Sequence, residues 1–548
     1  MKVSDRLVEC LENEGVGYVF GVPGEENEDL MFSLDESDIT FVPTRHEQGG
    51  AFIANVWGRL TGEAGVCLST LGPGATNLLT GVADANLDKS PLVVITGQGD
   101  LERLHQESHQ YLDVVSMMKA VTEWNSAISH PEIVCEVVRK AFKIAETEKP
   151  SATHIELSED VAREEASGEP IPSRTVRRSS PDPEAVEEAL DELEEAEKPL
   201  IIAGNGAIRS RCAQCLRGLV EKFELPVAHT FMGKGAVDDR SPYSLFAMGL
   251  GFRDYVMDAV EQADVVLCVG YDIAEYDPEA WNPDRDKTVL HLDFEPAEVF
   301  SHYNPEVEIV ADVASGLDAL GRGLEQRNCS FDPDWYRPVR ERIKKDLESY
   351  QLKPGDELTI PGTIHALRET MNAEDLLISD VGSHKMWIAR NFQTYEPNGC
   401  IISNGMASMG IALPGGIAGA LEDPDRNVVS AMGDGGFMMN SQELETAKRI
   451  GANFTCLVFQ DDDYGLISWK QEMSKGKSVS TRFGNPDFIE YAGSFDIKAY
   501  RPQTPDELTD VLSEAVHTNE LNLVNVPVST DVNDEITEKL EDYHSGGS

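Results

Sequence analysis

Two acidic stretches, whose central aspartates Asp434 and Asp461 stand 27 positions apart, are the part of this chain best suited to chemistry. The first, Gly433-Asp434-Gly435-Gly436, closes an apolar run at 428–432. The second, Gln460-Asp461-Asp462-Asp463-Tyr464, closes another at 454–459, and a helix-period segment at 442–450 lies between them. Short apolar runs of this kind read as buried parallel strands. The glycines predict a tight turn whose N–H groups can approach an anion. Two parallel strands joined through a helix present their carboxyl ends side by side, where open α/β sheets bind ligands. Asp434 and Asp461 would then face each other as hard oxygen ligands. Such a pair suits Mg²⁺, which needs few carboxylates when phosphate oxygens and water complete its octahedron.

Elements that could position these groups recur along the chain. Residues 1–165 alternate helices (3–14, 48–61) with apolar strands (18–22, 40–43, 66–70, 91–97). A polar, Pro- and Ser-containing stretch at 166–194 reads as a linker that ends in a charged helix. A second α/β unit follows at 195–330, with strands at 199–203, 227–230, 265–269 and 289–293. After a further linker at 331–357, a third unit spans 358–532 and includes a strand at 376–379 ending in Asp380. The tail, 533–548, is polar and expected to fray. The expected fold class is α/β, with three doubly wound parallel-sheet domains.

The 548 residues carry 97 Asp and Glu against 46 Lys and Arg, a formal net charge of −51. That excludes nucleic acid and anionic membranes as natural partners. The excess is spread along the chain, as in adaptation to a salt-rich cytoplasm where counterions screen repulsion. The N-terminal segment has an amphipathic helix pattern rather than a leader, and no apolar run approaches a membrane span, so a soluble, cytoplasmic protein is expected. Cys212 and Cys215 form a lone C-x-x-C inside a helical pattern; without a second pair they read as helix residues rather than a zinc site.

The GDG turn followed 27 residues later by a second acidic strand end resembles the motif of thiamine diphosphate-dependent enzymes, and the resemblance extends over nearly the whole chain. The resemblance implies that Asp434 and Asp461 ligate Mg²⁺ with the backbone carbonyl of Asp463. Asp461, where many members carry Asn, is similar to catabolic, flavin-independent acetolactate synthases. The stretch PTRHEQGGAFIANVWGRLTGEAGVCLSTLGPGATN resembles the family's N-terminal signature. Taken alone, Glu47 is a carboxylate at a helix start, favourable to the dipole. By resemblance it is the catalytic glutamate that passes a proton to the cofactor's pyrimidine ring. Gly72, Pro73 and Asn77 would pack on that ring. Gly382, Ser383 and His384 would begin a helix whose N–H groups suit a diphosphate, with Gly433, Gly435, Gly436 and Tyr464 around it. SNGMASMGIALPGGIAGAL resembles the segment that bends the cofactor, with Met409 as the wedge; taken alone, Met409 is a packing methionine.

The implied activity is acetolactate synthase. Pyruvate is decarboxylated and condensed with a second 2-oxo acid to give 2-acetolactate and CO₂. His109 and Gln110 fall in a segment similar to one lining the substrate pocket. Lys470, beside Trp469, stands where family members carry Trp or Gln, and could meet an anionic acceptor. In the middle unit Gly204-x-Gly206 has Arg209 where a dinucleotide fingerprint has its third glycine, and the flavin-contacting segment of anabolic members is absent, so FAD is not expected. The resemblance implies a two-fold dimer, alone or as a dimer of dimers, and leaves room for a small regulatory subunit. Two alternatives stay open: a related decarboxylase or carboligase with another acceptor, and a non-catalytic regulatory homologue.

Overall fold

The computed structural model describes residues 1–209, 212–249 and 254–533; the expectation for the tail beyond 533 lies outside the described residues. The chain forms three parallel six-stranded sheets, each flanked by helices. The first contains β1 (Tyr18–Gly21), β2 (Thr40–Pro43), β3 (Gly65–Ser69), β4 (Leu92–Gln98), β5 (Trp124–Ile128) and β6 (Ala152–Ser158). The second contains β7 (Leu200–Ala203), β8 (Val227–His229), β9 (Ser244–Ala247), β10 (Val265–Val269), β11 (Thr288–Asp293) and β12 (Val307–Val310). The third contains β13 (Leu376–Ser379), β14 (Cys400–Ile402), β15 (Val428–Gly433), β16 (Thr455–Gln460), β17 (Lys498–Tyr500) and β18 (Asn522–Pro527). Their central strands are buried on both faces, which is why they read as continuous apolar runs rather than alternating ones.

Strand order places the ligand crevices. The third sheet runs β14-β13-β15-β16-β18-β17. The chain leaves β13 toward one edge, returns past it to β15, and continues to the other edge. Helices after β13 and β15 therefore diverge, leaving a crevice at their carboxyl ends. Asp380 follows β13, Gly433 ends β15 and Asp461 follows β16. The same reversal falls between β7 and β10 in the second sheet, ordered β12-β11-β10-β7-β8-β9.

The first and third sheets share one apolar core. The helix Glu47–Thr61 packs on the helix Ala412–Glu422, and Phe52, Ile53 and Val56 bury with Leu413 and Ile417. The end of the 166–194 stretch is more than a connector. The helix Pro183–Glu195 buries Val186, Ala189, Leu190 and Leu193, one stripe at helical spacing, in the core of the second sheet. Similarly, the helix Arg337–Glu348 in the 331–357 stretch buries Val339, Ile343 and Leu347 against that domain. Among the described residues, no helix is long and apolar enough to cross a membrane. Cys212 and Cys215 sit on the helix Cys212–Phe223.

Candidate active site

The crevice at the end of the third sheet forms a cavity of about 590 Å³, counted out to its open mouth. Its walls bring together Gly382, Ser383, His384, Met409, Gly433, Asp434, Gly435, Gly436, Asp461, Asp463 and Tyr464. Ile360, Val381, Phe459, Leu466 and Ile467, which the sequence reading did not single out, supply its apolar lining.

The expected turn at Gly433–Gly436 is instead the first turn of a helix, Asp434–Asn440. Its glycines provide clearance rather than unusual torsion angles. A Cβ on Gly436 would lie 2.4 Å from Asp380 Oδ2, and one on Gly435 would lie 3.0 Å from the Tyr464 ring. Asp434 is held from three sides. Its Oδ1 accepts the Gly435 N–H at 2.8 Å; its Oδ2 accepts the Asp462 N–H at 2.7 Å and Asn485 Nδ2 at 2.8 Å. Asp461 accepts the Asp463 N–H at 3.2 Å. Burial, and then the charge of Asp434, pushes Asp461 up to about 7; burial also raises Asp434. Two such carboxyls facing one cavity repel while both are ionised, a repulsion that a divalent cation would relieve.

His384 lines the same cavity, near the start of the helix Ser383–Asn391; a Cβ on Gly433 would lie 3.3 Å from its Nδ1. Its ring stacks on Phe459 at 5.9 Å and its Nε2 is buried without a protein partner. Burial pushes it down to about 3, so the imidazole is neutral. Residues at the amino ends of both helices, Ser383 and His384 and Gly435 and Gly436, line the cavity, where free N–H groups suit an anion. The donor set therefore fits a diphosphate held through a hard cation.

The first-domain candidates gather elsewhere. Glu47 is buried at the start of its helix, and Asn77 Nδ2 donates to its Oε2 at 2.9 Å. Gly72, at φ +48°, begins the helix Pro73–Leu87; a Cβ there would lie 2.4 Å from the Gln110 carbonyl oxygen. His109 and Gln110 are exposed. No residue of the first domain lines the cavity of Asp434 and Asp461. Lys470 is exposed on the helix Gly465–Lys475 and lines neither that cavity nor the acidic one behind it.

Three residues outside the sequence reading support the site. Asp380 is fully buried and accepts the Gly410 N–H at 2.8 Å; Asn485 fixes Asp434; Glu443 grips the turn before Glu47. Asp380 carries the same signal as Asp434 and Asp461, an acid just after an apolar strand. Asn485 and Glu443 lie in segments with no local signal.

At the second sheet, two glycine turns pack on one another at the strand ends. Cβ atoms on Gly204 and Gly206 would lie 2.4 and 2.6 Å from Gly270, so these glycines serve packing between two turns. Lys149, from the first domain, pairs there with Asp272 at 2.6 Å and Asp293 at 3.0 Å.

Three doubly wound sheets, with an acid-lined diphosphate crevice in the third, define a cofactor-dependent α/β enzyme of the thiamine diphosphate type. Three family models match in order: thiamine pyrophosphate enzyme N-terminal TPP binding domain at 1–117, central domain at 186–320, and C-terminal TPP binding domain at 380–526. An acetolactate synthase of Bacillus subtilis (strain 168) is 32% identical over 96% of this chain and 93% of its own length. A probable acetolactate synthase large subunit of Methanocaldococcus jannaschii is 33% identical over 96% and 92%. A catabolic acetolactate synthase of Raoultella terrigena is 32% identical over 96% and 94%. The chain belongs to the acetolactate synthase family of thiamine pyrophosphate enzymes.

Proposed function

We propose that this protein is a thiamine diphosphate- and Mg²⁺-dependent acetolactate synthase that releases CO₂ from pyruvate and joins the remaining two-carbon unit to a second pyruvate, giving 2-acetolactate. The observation that carries this reading is the convergence of Asp434, Asp461, His384 and Met409 on one cavity. Bound there, the cofactor would supply the carbanion-stabilising chemistry that no side chain offers.

The chain's own residues would do the rest. Asp434, immobilised by its three donors, and Asp461 would hold Mg²⁺ with the Asp463 carbonyl. Gly382, Ser383 and His384, with Gly435 and Gly436, would receive the diphosphate. Met409 would support the bent cofactor, and with Val381, Phe459 and Leu466 would keep water away from the reacting carbon. Glu47, fixed by Asn77, would exchange a proton with the pyrimidine ring packed on Gly72 and Pro73.

In this reading the site is completed by a second copy of the chain. Glu47 lies outside the cavity of its own chain, and an apolar face lies beside that cavity, with Leu87, Met406, Met438 and Met439 exposed. A two-fold dimer, or a dimer of dimers, would cover that face and bring Glu47 of each copy to the partner's cavity. One relative is named a large subunit, so co-purification of a small regulatory chain is the companion test.

The lack of the flavin-contacting segment after the central strand of the middle unit supports a flavin-independent enzyme. The net charge of −51 supports a halophilic, cytoplasmic setting. Lys470, with His109 and Gln110 brought by the partner, would meet the acceptor's carboxylate. This exposed cation also favours a second reading, a carboligase of the same kind whose acceptor carries a further anionic group. Mass spectrometry of the products from pyruvate with thiamine diphosphate and Mg²⁺, in molar salt without added flavin, tests the proposal. Acetolactate supports it; acetaldehyde or acetate alone, or no turnover, overturns it.

A further inference from the structure

The segment between β14 and the helix Ala412–Glu422 carries Met409 and has an unusual set of partners. It is irregular, with Ala407 at φ +54° and Gly410 at φ +95°, so its N–H groups find few partners in regular structure. They are met by three carboxylates. Asp84 Oδ1 accepts Ser403 Oγ at 2.9 Å and the Ser408 N–H at 3.3 Å. Asp88 Oδ1 accepts the Gly405 N–H at 2.7 Å and the Asn404 N–H at 3.3 Å. Asp380 accepts the Gly410 N–H at 2.8 and 3.0 Å through its two oxygens. All three carboxylates are at most 1% exposed.

Burying a carboxylate is costly, and an amide or hydroxyl would satisfy a single backbone N–H at less expense. Two buried cations answer the first-domain pair: Arg59 lies 3.6 Å from Asp88, and Lys385, which donates to the Ser403 carbonyl at 3.2 Å and to Asn404 Oδ1 at 2.8 Å, feels both Asp84 and Asp88. Burial pushes Asp84 up to about 8, with the charge of Asp88 adding to it, and pushes Asp380 up to about 7. Three buried acids on one short loop, together with a left-handed alanine, concentrate cost where the loop meets the cavity. Two of the acids come from the first domain, on or just past the helix Pro73–Leu87, and one from the third. Asn440 Nδ2 completes the clamp by donating to the Gly410 carbonyl at 2.7 Å.

We infer that Asp84, Asp88 and Asp380 are positioning residues that clamp the 403–410 loop from two domains and thereby set Met409 against the cofactor cavity. The inference rests on the proposed role of Met409 as the support under the bent cofactor. Each cavity would thus depend on the first domain of its own chain for the placement of Met409, and on the partner's first domain for Glu47.

The test uses the full-length enzyme with Asp380→Asn, Asp84→Asn and the gentler Ser403→Ala, each compared with Met409→Ala. Two quantities are read: amide hydrogen exchange of peptides covering 403–410, and hydrogen–deuterium exchange at the cofactor's reactive carbon. Folded clamp variants should exchange their loop amides at least tenfold faster and slow the carbon exchange by tenfold or more. Thiamine diphosphate affinity should stay within about threefold, because the diphosphate is held by other segments. In the Met409→Ala background, Asp380→Asn should slow the carbon exchange by less than about twofold more. Unchanged loop protection in the folded variants refutes the clamp, whatever Met409 does. Faster loop exchange with normal carbon exchange, or additive effects in the double variant, shows that the acids do not act through Met409 and overturns the inference. If Met409→Ala alone leaves carbon exchange unaltered, the role of Met409 falls, and the inference falls with it. Should both Asn variants fail to fold, Ser403→Ala decides by the same readings.

Discussion

The carboxylate of Glu443 accepts the backbone N–H of His46 at 3.1 Å, across 397 residues of chain. The same carboxylate accepts the Arg45 N–H at 3.1 Å and Thr446 Oγ1 at 2.6 Å. It is wholly buried, and a Cβ on Gly49 would lie 2.6 Å from it. The third domain therefore grips the turn that launches the Glu47 helix, while Glu47 itself stays out of that domain's cavity. Glu443→Ala should cost about 2 kcal/mol of stability, since three donors, that of Thr446 buried, lose their acceptor. Denaturant titration of the variant measures it, and a loss below about 0.5 kcal/mol would show that the grip is ornamental.

Glu47→Gln should leave the fold intact, because the amide can still accept from Asn77, yet slow proton exchange at the cofactor's reactive carbon by orders of magnitude. Exchange followed by NMR after acid quench reports the step without any need for product formation. A wild-type rate would remove Glu47 from catalysis.

Mg²⁺ binding should release a proton near neutrality. In the cation-free protein Asp461 sits at about 7, raised from 3.8, so it is protonated on the acid side of that value. The cation needs the carboxylate and displaces the proton. Calorimetry in buffers of different ionisation enthalpy should show roughly half a proton or more released at pH 6.5 and almost none at pH 8.5. The sign for stability is the reverse of the usual acid. A raised folded value means the native state holds the proton more tightly, so the cation-free fold loses stability as pH rises from about 4 through 7. A proton count that is flat with pH contradicts this. Asp462→Asn is the fair control: its side chain, an acceptor for Gln460 and Asn485, keeps that ability as an amide.

Sharing of sites between copies can be read from mixtures. Inactive Glu47→Gln chains and inactive Asp434→Asn chains, dissociated and reassociated together, should regain about a quarter of wild-type activity. Half the dimers are then mixed, and each mixed dimer has one site with both lesions and one with none. A site built within one chain gives no recovery in a mixture shown to contain heterodimers.

Salt should govern stability. With a formal charge of −51, unscreened repulsion grows as ionic strength falls. Lowering salt to about 10 mM extends the Debye length to about 30 Å and should depress the melting temperature by many degrees relative to molar salt. An unchanged melting point would dispose of the halophile reading.

Much of this was legible in the sequence, for physical reasons that differ between elements. Runs such as 428–432 and 454–459 announced buried strands because parallel strands between helices have no polar face. The helix Pro183–Glu195 was recognisable as a helix, and its apolar stripe at 186, 189, 190 and 193 explains why it belongs to a core rather than a connector. Gly433-Asp434-Gly435-Gly436 misled as a turn because local propensity cannot distinguish glycine used for torsion from glycine used for clearance; the Asp380 carboxylate that demands the clearance is more than 50 residues away. Glu443 and Asn485 were invisible for the same reason, since their partners are set by how the sheets pack. The pairing of Asp434 with Asp461 was readable because one β-α-β unit contains both.

The Lys149 bridge has a consequence for engineering. The second sheet has the reversal of strand order at which such sheets bind ligands, and beside it Lys149 acts as a rivet joining the first domain to the second. Separating or exchanging either domain at this seam therefore means drawing the rivet first. Drawing it leaves Asp272 and Asp293 as neighbouring acids answered by Arg209 and, for Asp272, by Lys89. A domain exchange that keeps the seam intact must carry the lysine and the two acids that face it together.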